Sequence, residues 1–213
     1  MASTSGFNGR MAQQTDDLAS ADPAAANPHT PFHIPADDLA ARLDDVWASP
    51  ADDGRVELVI RRPAVGEREV LDEAALDPAM GIVGDTWLER GSRHTPDGSA
   101  EPDRQLTLMN ARVAALVAGT QERMPLAGDQ LYVDLDLSFD NLPAGTRLSM
   151  GSAVVVVTEP PHTGCAKFTQ RYGLAALRLI NSPEGRAARF RGLNARVEVA
   201  GTVRPGDAER KLA

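Results

Sequence analysis

Short apolar segments, separated by turns that contain glycine or proline, recur along most of this chain and constrain its fold more than any other feature. Val56, Leu58 and Ile60 alternate with polar neighbours, which predicts a strand that ends before Pro63. Further strands are predicted at residues 69–71, 105–108, 131–137 and 197–203. Residues 148–158 have the spacing of a hairpin with a two-residue turn at Gly151-Ser152. Because these strands do not alternate regularly with helices, a doubly wound sheet is disfavoured. The pattern favours a mainly β fold, a barrel with a few short peripheral helices.

Several segments carry more specific expectations. Residues 131–137 alternate apolar and polar side chains, which predicts a strand with one solvent-facing side. Residues 197–203 are expected to form a strand pair around Gly201. Residues 37–47 have the spacing of one short amphipathic helix. A further helix should begin after Asn110, a good N-cap, and end at Gly119.

Charge and cysteine content narrow the setting of the protein. Its formal net charge of −8 makes nucleic acids and anionic membranes poor partners, and no apolar run is long enough to span a bilayer. The single cysteine, Cys165, cannot form an internal disulfide, so we expect a reducing, cytoplasmic compartment. Residues 1–34 are polar and lack apolar periodicity, which predicts a flexible arm before one domain at residues 35–213.

Cys165 is the candidate chemical centre. It follows a loop with two prolines and a glycine, and loops on rigid scaffolds often carry function. The positive charges of Lys167 and Arg171 favour the thiolate that binds metal, and both side chains can also pair with a phosphate group. His162 is a candidate proton donor because imidazole titrates near neutrality. The plainer alternatives are a small buried apolar cysteine, a half-exposed loop histidine and solvated surface charges.

A basic cluster precedes the predicted strand at residues 105–108. Arg93, His94 and Arg104 offer hydrogen-bond donors to a phosphate or carboxylate in an otherwise acidic chain. For Arg93 and His94 the alternative is a solvated polar loop, whereas Arg104 adjoins the strand and should be better fixed in position.

An ordered series of short motifs gives the chain a family resemblance. In order, they are Gly128-Asp129-Gln130-Leu131, residues 142–148, Met150-Gly151, and residues 158–161, 164–168, 191–197 and 201–207. Residues 81–85 and 104–108 agree more loosely. Over residues 54–207 the chain resembles a MOSC domain, the family named after the C-terminal domain of molybdenum cofactor sulfurase.

The resemblance implies a β-barrel that binds a molybdenum–pterin cofactor, with the Cys165 thiolate as a ligand to molybdenum. It further implies cofactor contacts from Asp129, Gln130 and Thr163, in addition to the basic residues named above. The expected activity is that of an oxidoreductase that reduces N-hydroxylated compounds. Since no flavin or iron–sulfur motif is visible, electrons would come from a separate electron-transfer protein.

Two other functions stay open at this point. One is a non-redox module that carries the molybdenum cofactor, or sulfur as a persulfide on Cys165, to a partner. The other is a degenerate barrel that binds a different small molecule, because Thr86-Trp87 and Gln130 depart from the family pattern.

Overall fold

A computed structural model of the protein describes residues 32–213. The strands are β1 (Gly54–Arg61), β2 (Glu69–Leu71), β3 (Ala74–Asp77), β4 (Gly81–Ile82), β5 (Leu106–Asn110), β6 (Leu131–Asp134), β7 (Arg147–Met150), β8 (Ala153–Val157), β9 (Leu193–Val199), β10 (Gly201–Val203) and β11 (Ala208–Leu212). The helices are α1 (Ala36–Ala40), α2 (Leu43–Trp47), α3 (Trp87–Arg90), α4 (Ala111–Ala118), α5 (Ala166–Asn181) and α6 (Pro183–Ala187). Short 3-10 turns span Pro102–Arg104 and Gln121–Ala127.

Seven of the strands close into a barrel in the order β11, β7, β8, β9, β5, β6, β1. The contact that closes it is short, because Gly54 pairs with Glu209 and Arg55 with Ala208. β2 extends the sheet beyond β1, and β10, β3 and β4 form a separate small sheet. Among the strands of residues 32–213, only β5 and β6 pair in parallel, and α4 lies between them in the chain. The barrel with short peripheral helices expected from the sequence is confirmed.

Apolar side chains form one core inside the barrel and a second core between the barrel and the helices. A bulge in β1 divides its apolar residues between the two, so Val56 and Val59 face inward while Leu58 and Ile60 lie in the outer core. Tyr132 of β6 is also fully buried in the outer core. The solvent-facing side predicted for residues 131–137 is therefore wrong at Tyr132, because α4 and α5 supply partners that the local sequence does not reveal.

Four strand termini meet at one end of the barrel, which we call the site end. Val59 near the end of β1 pairs with Leu131 at the start of β6, and Leu108 of β5 pairs with both Leu131 and Leu193. The end of β8 lies beside the start of β9. Residues that follow β1 and β8, or precede β6 and β9, are thus brought together from distant parts of the chain.

Two local expectations are wrong, and one is confirmed in detail. Residues 37–47 form two short helices rather than one, and each supplies a separate apolar anchor to the outer core, Leu39 and Val46. β9 and β10 do not pair with each other, because β8 and β5 occupy both edges of β9 and β10 pairs with β3 instead. Asn110 caps α4 as predicted, its side chain accepting a hydrogen bond from the backbone of Val113.

Most of the predicted N-terminal arm, residues 1–31, lies outside the described residues. Its last part is in contact with the domain. Arg123 donates a hydrogen bond to the carbonyl oxygen of Phe32, and His33 lies against Gly173, where α5 is kinked. Across residues 32–213, no helix is long and apolar enough to cross a bilayer.

Candidate functional site

A buried network of charged side chains occupies the site end of the barrel. Asp129 precedes β6 and has no solvent exposure. One carboxylate oxygen lies 2.8 Å from Nε2 of His162, and the other accepts a hydrogen bond of 2.6 Å from Arg191. Arg191 also donates to the carbonyl oxygen of Ala127 and lies over the ring of Phe168. Asp129 therefore links His162, on the loop after β8, to Arg191, which lies just before β9.

Burial and the neighbouring charges determine the protonation states of Asp129 and His162. Burial alone would raise the pKa of Asp129, but the charge of Arg191 and the two hydrogen bonds hold that pKa well below its ordinary value. Burial and the charge of Arg191 lower the pKa of His162 below 6.5, against the opposing effect of Asp129. At neutral pH, His162 is neutral beside an ionised carboxylate. Nε2 must then carry the hydrogen that it donates to Asp129, which leaves Nδ1 as an acceptor.

Cys165 stands at the start of α5 with its side chain exposed. Its carbonyl oxygen accepts the backbone hydrogen bonds of Phe168 and Thr169, so the residue is the N-cap of the helix. Phe168 lies beneath Arg191, which places the first turn of α5 against the buried network. The thiol is thus presented at the helix terminus rather than enclosed among aliphatic side chains.

Three arginines surround Gly128 beside the network. Arg62 forms a two-pronged ion pair with Asp85 and donates to the carbonyl oxygen of Gly128. A side chain on Gly128 would lie 3.3 Å from Arg68 and 3.9 Å from Arg171. Arg68 has a buried Nε with no hydrogen-bond partner among residues 32–213, and burial, followed by the charges of Arg171 and Arg62, lowers its pKa. This cluster has positive charge in excess and is suited to an anion.

The structure separates the cofactor residues predicted from sequence into two groups. Asp129, His162, Arg104 and Arg171 come together at the site end, and Arg104 donates to the carbonyl oxygen of Pro161 on the loop that carries His162. Lys167 and Thr163 are exposed near Cys165 in the chain, and Arg93 and His94 are exposed on the loop before the Pro102–Arg104 turn.

Gln130, for which the sequence predicted a cofactor contact, makes its hydrogen bonds to the neighbouring strand. Its side chain is fully buried, accepts hydrogen bonds from the backbone and hydroxyl of Thr107, and donates to the carbonyl oxygen of Gln105. The amide oxygen of Gln130 thus bonds to Thr107 of β5, and its amide nitrogen bonds to Gln105, the residue before β5. The structure therefore places Gln130 as a strand-joining residue, and its contact with a cofactor stays a prediction.

Sequence reasoning did not select Arg191, Arg62 or Arg68 as site residues. Arg191 stands in one of the family-like segments, residues 191–197, so its signal was present but was not interpreted as a site residue. Arg62 and Arg68 lie in a stretch with several charges, where nothing local distinguishes them from surface arginines.

The comparison with known families agrees with this geometry. The sequence matches the MOSC domain over residues 95–209, more than half of the chain. This chain belongs to the MOSC domain family. None of the curated proteins is similar enough to it to count as a match.

Several solved structures are similar to this chain. The YuaD protein from Bacillus subtilis superposes with a TM-score of 0.52 at 19% identity, covering 73% of this chain and 93% of YuaD. YiiM from Escherichia coli gives a TM-score of 0.48 at 18% identity, covering 75% of this chain and 70% of YiiM. YiiM from Geobacillus stearothermophilus gives 0.49 at 14% identity, with 75% of each chain covered. At such identities the likeness to YuaD shows the fold alone.

The MOSC family is associated with a molybdenum cofactor, and the site end fits such a group in two respects. Cys165 offers one exposed thiol as a metal ligand. The unpartnered Nε of Arg68 lies in an arginine cluster suited to a phosphate. Within residues 32–213 no group of three or more acidic, histidine or cysteine side chains is arranged to hold a metal ion alone. A single protein thiolate is sufficient where an organic cofactor supplies the other ligands of the metal.

Proposed function

We propose that this MOSC protein binds a molybdenum–pterin cofactor and acts as an oxidoreductase that reduces N-hydroxylated compounds. The observation that carries the proposal is the presence of an exposed thiol, Cys165, on the helix that packs against a buried Asp129–His162–Arg191 network and an arginine cluster. A soft metal ligand, a titratable imidazole and an anion site are thus combined at one end of the barrel.

Each part of the site has a distinct role in this proposal. Cys165 is the metal ligand, while Arg68 and Arg171, with Lys167 and Arg104 as further candidates, hold the cofactor phosphate through charge-assisted hydrogen bonds. When bound, the cofactor supplies the two-electron reduction. Gly128 leaves the space between the guanidinium groups free of a side chain.

His162 is the residue that handles the proton. Its Nε2 is fixed on Asp129, so the ring orientation is set and Nδ1 is the atom available to a substrate. At neutral pH Nδ1 carries no proton, so the ring first accepts one there, and because its pKa is lowered it passes that proton on more readily than a free imidazole does. Arg191 keeps Asp129 ionised and thereby maintains the orientation of the ring.

The electrons would come from a separate protein. The chain has one cysteine, too few for an iron–sulfur cluster built from its own thiolates, and it carries no flavin motif that we recognise. The small-molecule substrate and the electron donor are therefore the two partners that the proposal requires.

Metal and pterin analysis of the purified protein tests the proposal. Protein produced in a host that makes the cofactor should contain about one molybdenum per chain, and Cys165→Ala should lose most of it. Arg68→Gln should reduce cofactor retention, whereas Arg178→Gln, an exposed arginine elsewhere on α5, should not. Metal-free protein from such a host, or an unchanged molybdenum content in Cys165→Ala, would contradict the proposal.

The exposure of Cys165 favours a second candidate, a carrier that hands sulfur or the cofactor to a partner. An accessible thiol can hold a persulfide and transfer its outer sulfur without a closed active site. Mass spectrometry would then find the intact chain heavier by one sulfur atom, with the addition lost in Cys165→Ala. Molybdenum without added sulfur, together with reductase activity, would favour the first candidate.

A further inference from the structure

A cavity of about 340 Å³ opens beside the loop that carries His162. Its walls are the loop after β8, the end of α5, α6 and the residues before β9. Its lining combines apolar side chains, among them Pro161, Ile180 and Leu193, with a larger number of polar or charged ones, and His162 and Arg191 contribute the edge shared with the buried network. The cavity therefore adjoins the candidate site without containing the arginine cluster around Gly128.

The walls are held in place by contacts that do not need a ligand. Asn194 donates a hydrogen bond of 2.8 Å to the carbonyl oxygen of Pro160, and Arg104 donates one of 3.1 Å to that of Pro161. Gly185 packs so closely on α5 that a side chain there would lie 2.2 Å from the carbonyl oxygen of Leu179. The cavity is thus formed before binding, which limits the entropy lost when a ligand enters.

Three arginines of one short segment line this cavity. Arg186 is exposed and has no ion-pair partner in the described part of the chain. Arg189 is buried, takes an unusual positive φ of 50°, and donates to the carbonyl oxygens of Leu137 and Leu142. Arg191 is neutralised by Asp129 behind the wall. The lining also includes the exposed acid Glu159, so Arg186 and Arg189 together leave a small excess of positive charge in the cavity of a chain whose net charge is −8.

The cavity also contains planar groups on which an aromatic ligand could stack. The guanidinium carbon of Arg189 lies 3.8 Å from the ring centre of Phe139, which remains half-exposed at the edge of the cavity. Aromatic rings and guanidinium planes both stack on aromatic ligands. A volume of about 340 Å³ is at the small end of ligand pockets and suits one ring rather than a fused system.

From these features we propose that the cavity is the substrate pocket of the proposed reductase, and that it selects single-ring aromatic compounds that carry a carboxylate. The ring lies among the apolar walls and Phe139, and Arg186 pairs with the carboxylate. The assignment as substrate pocket rests on the proposed function, but binding of the acid itself does not require the cofactor.

Equilibrium binding to metal-free protein tests the pocket with benzoate as the probe. Benzoate should bind at least about tenfold more tightly than benzamide, which lacks the charge, and than acetate, which lacks the ring. Arg186→Gln should weaken benzoate binding by about tenfold while the thermal midpoint stays unchanged, because Arg186 is exposed. The matched control, Arg178→Gln on α5, lies outside the cavity and should bind as the unmodified protein does.

Several outcomes would overturn the proposal. They are no benzoate binding at millimolar concentration, equal binding of benzoate and benzamide, and equal losses in Arg186→Gln and Arg178→Gln. The failure of the proposed function is a separate result. If the protein lacks molybdenum when isolated from a competent host but benzoate binding still depends on Arg186, the pocket stands as an acid-binding site and the reductase assignment falls.

Discussion

Glu209 makes the stability of this barrel depend on pH in an unusual direction. It lies on β11 at the closing contact of the barrel, paired with Gly54 on one side and Met150 on the other. The residue has no solvent exposure, and neither carboxylate oxygen has a hydrogen-bond partner among residues 32–213. Burial without a compensating partner raises the pKa of Glu209 to about 8.

The folded protein binds the proton of the Glu209 carboxyl group more tightly than the unfolded chain does, so deprotonation at higher pH destabilises the fold. Stability is full below the unfolded pKa of 4.5, decreases as the pH rises towards about 8, and levels off above that value. The interval between the two pKa values corresponds to about 5 kcal/mol, of which about 4 kcal/mol falls between pH 5 and pH 9. That is a large share of the stability of a typical domain.

Denaturant unfolding at pH 5, 7 and 9, for the unmodified protein and for Glu209→Gln, measures this contribution. The uncharged amide has nearly the same shape and cannot ionise, so the two proteins should differ by no more than about 1 kcal/mol at pH 5. At pH 9 the variant should be more stable by about 4 kcal/mol. Glu57→Gln, on the neighbouring β1 and exposed, controls for the removal of one surface charge.

The difference between the two pH profiles isolates Glu209, because every other titrating group is common to both proteins. Parallel profiles for the unmodified protein and Glu209→Gln would refute the reasoning, since Glu209 would then be solvated or paired in solution. A difference equally present in Glu57→Gln would show a general effect of charge rather than of burial.

Three further substitutions test the site end and the barrel, each by denaturant unfolding. Asp129→Asn should lower the free energy of unfolding by about 3–5 kcal/mol, because it leaves Arg191 buried without its ion-pair partner. The control Asp134→Asn removes a partly exposed ion pair and should cost about 1 kcal/mol or less. Equal costs in the two variants would contradict the buried network. Gln130→Leu should cost about 2–3 kcal/mol through unpaired backbone groups of β5, and a neutral result would argue against its strand-joining role. Gly54→Ala should cost about 2–3 kcal/mol, since its side chain would lie 2.7 Å from the backbone oxygen of Asp134. Unchanged stability would mean that β1 and β6 are less closely packed there than described.

Local signals in the sequence were sufficient for much of the fold. The Asn110 cap and the Gly119 stop define α4, and the Gly151-Ser152 turn defines the β7–β8 hairpin. Each of these depends on a few adjacent residues whose backbone preferences act within one turn. The same locality explains the failure at β1, where Leu58 appeared to share a face with Val56. The bulge that separates them forms only when β6 pairs alongside.

The candidate site was only partly accessible to such reasoning. Cys165 and His162 were selected because they lie on one loop with an unusual composition, and Asp129 because it stands in a family-like segment. Nothing in the sequence indicates that Asp129 contacts Arg191, 62 positions further along the chain. That contact exists because β6 and β9 both begin at the site end, which is a consequence of strand order.

The sequence by itself determined the family, several strands with their turns, and the one thiol on which the proposed function depends, because these are recorded in residue order and local preference. The tertiary structure alone decided which charges are buried together, that Gln130 joins strands, and that Glu209 is buried with no hydrogen-bond partner among residues 32–213. Those properties depend on the dielectric surroundings and on groups contributed by distant strands, and they arise only when the barrel closes.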